Sequence, residues 1–400
     1  MHKIESAKLL KEVMTDYFKG MGDETKKIAW CTSVGPAELL RSFGFEVYFP
    51  ENHGALLGTT RTSGDFIPVA SKLGYSSDIC SYLTSDVGSY LSNDTPMSKH
   101  YGLKGVPKPD VLVYNTNQCR EVQDWLNYFA KEFNSPIVGI QSPRHLDEVK
   151  KIDIENVTSQ FKSMIPVFEK TSGNKFDIDK FKETVKLSKE ATSLWKQSLE
   201  TAKTIPAPIS FFDSTIHMGP IVVLRGTQVA KEYYKNLLEE LKTYVGQGSG
   251  IIENEQIRIY WEGMPIWGRL RYLSELFAKN NTAVVASTYC NSWIFDDFDE
   301  NEPFESTALA YTTIFINRSE KVKQKIIESL INDYKITGII FHDSKTCFNN
   351  SNSRFGMPLR LKESAGVETL VIEGDLCDLR FFSEAQTTTK IETFIEQMKV

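Results

Sequence analysis

Short apolar runs stand in two sets, with a long polar stretch between them. The first third holds "KIAWCTS" (27–33), "FEVYFPE" (45–51), "DVLVYNT" (110–116) and "PIVGIQS" (136–142). The last third holds "IRIYWEG" (257–263), "AVVAST" (283–288), "GIIFHDS" (338–344) and "ETLVIEGD" (368–375). Each is rich in Val, Ile or aromatic residues, and most precede a stretch of helical spacing. Near-continuous apolar strands alternating with helices predict parallel sheets covered on both faces.

Between the two sets, residues 147–203 are heavily charged with helical spacing, interrupted at "TSGNKFD" (171–177). "TQVAKEYYKNLLEELKTYV" (227–245) continues the helical theme. The pattern predicts an α/β protein with two Rossmann- or flavodoxin-like domains, each on a four-stranded parallel sheet. These are residues 1–145 and 251–400, joined by a helical connecting region, 146–250. Two sets of four strands also predict an ancient duplication, although no residue-level repeat is visible.

Composition narrows the function classes. A 400-residue chain exceeds one ordinary core. A net charge of −6 argues against a broad nucleic-acid footprint. No window approaches 18 uninterrupted apolar residues, so no transmembrane helix is expected. The start, "MHKIESAKLLKEVMTDYFKG", reads as an amphipathic helix and not as a signal peptide. A cytoplasmic, reducing setting is the expectation, in which six cysteines are packing residues, reactive thiols or metal ligands.

The cysteines are not scattered. Cys31 lies near the end of the first run, Cys119 follows "VLVYNT", Cys290 follows "AVVAST", Cys347 follows "GIIFHDS" and Cys377 follows "TLVIEGD". Only Cys80, in "GYSSDICSYL", opens an apparent helix. Ligands of open α/β sheets bind beyond the carboxyl ends of the strands, which is where five of the six fall. A cysteine after a strand is also a common small core residue, and both readings stay open at this point. The absence of C-x-x-C excludes thioredoxin-like chemistry and zinc-ribbon spacing. Thiolates without partner histidines favour an iron–sulfur cluster over zinc.

Other motifs contribute less. "GQGSGI" (246–251) resembles a phosphate loop but follows a helix, and no G-x-x-x-x-G-K-[ST] or G-x-S-x-G is present. His342 reads as a surface or core residue, or as a support behind Cys347. Segments 54–70 and 289–306 read as loops whose aromatics, Phe66, Tyr289, Trp293 and Phe295, either pack in the core or line a pocket.

Several stretches together resemble the 2-hydroxyacyl-CoA dehydratase and benzoyl-CoA reductase family. They are "WCTSVGPAELLRSFGFEVYFPENHGA" (30–55), "GYSSDICSYL" (74–83), "YNTNQC" (114–119), "WEGMPIW" (261–267), "FHDSKTC" (341–347) and "VIEGDLCDLRFFSEAQTTTKIETFIEQM" (371–398). The similarity runs in order over nearly the whole chain. It implies a [4Fe–4S] cluster held by Cys80, Cys119 and Cys347, with one iron left open. It also implies that Ser33 and Glu51 sit beside that iron, the mark of a substrate-binding subunit. Taken alone, Ser33 also reads as the cap of a helix beginning near Pro36, and Glu51 as a solvated loop carboxylate. Cys31 departs from the dehydratase pattern, which has serine there. A branch of the family with a double-cubane cluster would use Cys31, Cys290 and Cys377 as well.

The implied activity is radical elimination of water from an (R)-2-hydroxyacyl-CoA. The β-hydrogen of such a thioester is scarcely acidic. One electron added to the carbonyl expels the neighbouring hydroxyl and acidifies that hydrogen. The resemblance further implies an ATP-dependent iron–sulfur activator and a paralogous second subunit, or a homodimer. Family alternatives are a reductase and an electron-relay subunit.

Overall fold

Each apolar run folds as a strand in the computed structural model, which describes residues 4–399. Strands β1 (Ile28–Cys31), β2 (Glu46–Tyr48), β3 (Val111–Asn115) and β4 (Ile137–Ile140) form one sheet in the order β2-β1-β3-β4. Strands β5 (Ile257–Glu262), β6 (Thr282–Ser287), β7 (Gly338–Ser344) and β8 (Glu368–Gly374) form a second in the order β6-β5-β7-β8. Every pairing is parallel. The two sheets share one strand order, consistent with the duplication read from the strand count. The chain is an α/β protein with two Rossmann- or flavodoxin-like domains.

Strands β1, β5 and β6 are buried along their whole length, so their sequences lack the alternation of a half-exposed strand. Trp30 of β1 shows what that burial holds. Its ring lies 4.9 Å from Tyr48 and 4.8 Å from Phe129, and its Nε1 donates to the Pro107 carbonyl at 2.9 Å. Trp30→Phe should destabilise the protein by about 2 kcal/mol, because it leaves that carbonyl unpaired and opens a void. Urea unfolding of the two proteins checks this, and an unchanged midpoint would refute it.

The polar middle forms long helices. Lys151–Ser172 and Ile178–Glu200 break where Gly173 takes a left-handed φ of 78° and Asp177 caps the second helix. Gln228–Gly246 packs against Ile178–Glu200, and "GQGSGI" trails from its end as the sequence indicated.

Of the two segments read as loops, 54–70 is largely helical, whereas 289–306 keeps a loop between two helical ends. Pro50, with φ already fixed for a helix, starts Pro50–Thr59 directly after β2, so Glu51 lies in a first helical turn. Ser63–Ser71 follows and buries Phe66. Segment 289–306 contains most of Thr288–Asn291 and the start of Pro303–Thr312. Gly58, Gly64 and Pro68 interrupt the helical spacing of 54–70 and mask its periodicity. Among the described residues, no helix is long and apolar enough to cross a membrane.

Candidate functional site

Both sheets turn their carboxyl ends toward one cavity of about 1010 Å³. Ser33 after β1, Cys119 after β3, Met264 after β5, Thr288 after β6, Cys347 after β7 and Leu376 after β8 all line it. Cys80 and Glu51 line it too, as do Leu10, Met14 and Phe18 of the helix Ser6–Gly20. Gly263 admits the close approach of two loops. Its φ is 99°, and a Cβ there would stand 2.8 Å from the His342 carbonyl oxygen.

The structure brings together every residue of the expected cluster site. Each thiol sits where the chain turns into a helix. Cys80 caps Ser81–Ser92, Cys119 lies two residues before Glu121–Phe133, and Cys347 precedes the short 3₁₀ turn Phe348–Asn350. Backbone N–H groups face the sulfurs: Leu83 and Tyr82 face Cys80, Val122 faces Cys119, and Asn350 faces Cys347. Such donors stabilise a thiolate. Burial opposes ionisation and is the largest influence on each thiol, pushing Cys80 and Cys119 well up and Cys347 up to about 12. The three also raise one another, Cys347 acting on Cys80, Cys80 on Cys119 and Cys119 on Cys347. All three line the one cavity, and without a metal they are neutral thiols. Three thiols lining one cavity are a donor set that an iron–sulfur cluster would fit. Among the described residues, no three His, Cys, Asp or Glu side chains are grouped to hold a single ion.

Ser33 and Glu51 form a unit. The Ser33 backbone N–H donates to Glu51 Oε1 at 2.9 Å, and Glu51 Oε2 has no hydrogen-bond partner. The helix after Pro36 has no side-chain cap, so Ser33 serves the carboxylate and not that helix. Glu51 is buried, which excludes a solvated loop role. Burial pushes its carboxyl up to about 7, against the pull of the Ser33 N–H and the more distant Arg225. The sign for stability follows. Between about pH 4.5 and 7 the unfolded chain has lost this proton and the folded chain keeps it, so stability falls as pH rises. The full loss is on the order of 3 kcal/mol. Melting of cluster-free protein across this window should show a smaller fall for Glu51→Gln than for the wild type, and equal falls would contradict it.

The remaining cysteines do not themselves line the cavity. Cys31 is buried beneath Gly35, Cys290 lies 3.7 Å from Thr215 Oγ1, and Cys377 lies 3.2 Å from the Gly54 carbonyl oxygen. His342 is buried in β7, with Nδ1 donating to the Met264 carbonyl at 2.7 Å. Of the four aromatics singled out, Tyr289 and Trp293 line the cavity, whereas Phe66 and Phe295 pack elsewhere. Sequence reasoning missed Tyr82 and Trp267, which are joined by a Trp267 Nε1 to Tyr82 Oη bond and complete an aromatic wall with Tyr289. It also missed Arg144, whose guanidinium donates to the Gln118 carbonyl at 3.0 Å and to Asn349 Oδ1 at 2.8 Å. That side chain ties the Cys119 loop to the Cys347 loop.

The model of the family described as 2-hydroxyglutaryl-CoA dehydratase, D-component, matches residues 32–398. The chain is 31% identical over 397 residues to the (R)-2-hydroxyisocaproyl-CoA dehydratase alpha subunit of Clostridioides difficile, covering 98% of this chain and 94% of the relative. It is 30% identical to a benzoyl-CoA reductase subunit of Thauera aromatica, covering 90% and 86% of the two chains. The (R)-phenyllactyl-CoA dehydratase alpha subunit of Clostridium sporogenes is 28% identical, with 93% and 90% covered.

Proposed function

Since this chain belongs to the 2-hydroxyglutaryl-CoA dehydratase D-component family, we propose that it is the substrate-binding iron–sulfur subunit of a radical (R)-2-hydroxyacyl-CoA dehydratase. The observation that carries the reading is the convergence of Cys80, Cys119 and Cys347 on the cavity lined by Ser33 and Glu51. Together the three cysteines would hold a [4Fe–4S] cluster with one open iron. When bound, such a cluster supplies a Lewis acid and one electron to the thioester carbonyl.

The chain's own residues do the rest. The cavity takes the acyl thioester, and the wall of Tyr82, Trp267 and Tyr289 keeps water from its reactive end. The Ser33 N–H fixes the Glu51 carboxyl. In its neutral form, Glu51 offers the Oε2 proton to the 2-hydroxyl, which leaves as water. The carboxylate left behind can then accept the β-proton, and the added electron is given up by the product, so that the elimination is redox-neutral. The chain has no Walker-type phosphate loop, so the electron comes from an ATP-dependent activator. A partner subunit is proposed because the relatives of this chain are themselves named as single subunits of their enzymes.

A reductase of the same family is the second reading, favoured by the likeness to the benzoyl-CoA reductase subunit of Thauera aromatica. The absence of Cys31, Cys290 and Cys377 from the residues that line the cavity supports a single cubane over a double one. Iron and sulfide analysis of protein purified without oxygen tests the proposal. About four iron atoms per chain are expected, with no ATP hydrolysis by the chain alone and dehydration only with reduced activator. About eight iron atoms would favour the double cubane, and none would sink the cluster.

A further inference from the structure

Cys80 and Cys347 belong to opposite halves of the chain, yet a single buried carboxylate joins the segments that carry them. Asp375 follows β8 and is fully buried. Its Oδ1 accepts from Ser81 Oγ at 2.5 Å, and from the backbone N–H groups of Cys377 at 3.1 Å and Asp378 at 3.0 Å. Its Oδ2 accepts from the Thr346 N–H at 2.8 Å, Thr346 Oγ1 at 2.6 Å and Ser344 Oγ at 3.3 Å. The circuit closes because the Ser81 N–H donates to Thr346 Oγ1 at 3.0 Å. Ser81 is the residue after Cys80, and Thr346 is the residue before Cys347.

Six donors on one carboxylate exceed what anchoring a strand end requires. Backbone N–H groups at 377 and 378 already hold Asp375 to its own loop. The other bonds cross to the two cysteine segments. Asp375 is thereby a fully buried carboxylate bonded to the residue next to each of the two cysteines.

We propose that Asp375 is a positioning residue that holds the Cys80 and Cys347 ligands at a fixed separation and contributes a fixed negative charge beside them. The inference rests on the cluster reading above. A carboxylate behind metal ligands fixes their orientation, and its loss commonly weakens metal binding by about 10–100-fold. A buried negative charge also favours the oxidised cluster, because little solvent screens it.

The test compares wild type, Asp375→Asn and Ser81→Ala, each purified without oxygen and checked for folding by circular dichroism. Iron release to a chelator and the midpoint potential of the cluster are measured on each. Asp375→Asn should release iron about 10-fold faster and titrate at a more positive potential. Ser81→Ala keeps the charge and removes one crossing bond, so it should release iron faster at a potential close to wild type. A purely structural role would not produce that split. If the wild type holds iron and Asp375→Asn matches it in both release and potential, the positioning role is overturned and the cluster reading stands. If the wild type holds no iron, the cluster reading itself fails.

Discussion

Replacing Cys119 with serine is expected to strip most of the iron and the brown colour from protein purified without oxygen. The thiol lies where the chain leaves β3 for the helix Glu121–Phe133 and lines the shared cavity. Burial keeps it neutral in the cluster-free protein, so loading must expel a proton, and the thiolate must be repaid by the metal bond. A serine hydroxyl ionises far less readily than a thiol and is a harder donor, which disfavours iron held among soft ligands. Two remaining thiols do not retain a cubane firmly. Cys290→Ser is the control, since Cys290 is buried behind the lining residue Thr215 and does not itself line the cavity. It should keep nearly all its iron. Loss of half the iron in that variant would point to a double cubane.

Glu51→Gln is expected to lower activated turnover by roughly 10²-fold or more, with iron content and thioester binding kept. Glutamine preserves the shape and can still accept the Ser33 N–H. What it lacks is an exchangeable proton of suitable acidity. A group pushed up to about 7 is half protonated near neutral pH, the condition under which one residue can give a proton and later take one back. Iron analysis and the activated dehydration rate are measured on matched preparations. A variant with full iron and a near wild-type rate would reduce Glu51 to a buried structural carboxyl.

The fold was legible because the sheets are buried on both faces. Residues 27–33, 110–116 and 338–344 read as strands from apolar continuity alone, and the structure places strands within each. Boundaries were less legible where proline intervened. The run 45–51 suggested a longer strand, but Pro50 starts a helix and β2 stops at Tyr48. In the site, Cys80, Cys119, Cys347, Ser33 and Glu51 were named from motif likeness, and only the fold could show that they share a cavity. Arg144 had no signal at all, and Asp375, although inside the quoted stretch 371–398, had none that marked its role. A polar residue in a loop carries no periodicity, and its importance lies in partners distant in sequence, Asn349 for one and Ser81 for the other. Such crossings are invisible until the chain is folded.

The clamp on Glu51 has a geometrical consequence. With Oε1 engaged by the Ser33 N–H, Oε2 is left to carry the mobile proton, and the line it faces is the one along which that proton would leave. A carbon bearing a hydroxyl, a hydrogen, a thioester and an alkyl chain is chiral. Anchored by its thioester, it points the hydroxyl along that line in one configuration and away from it in the mirror image. Under the proposed function, handedness would thus be gauged at the carboxyl itself, before the acyl chain meets the wall of the cavity. Chain length and branching can then vary among substrates while the preferred enantiomer stays the same.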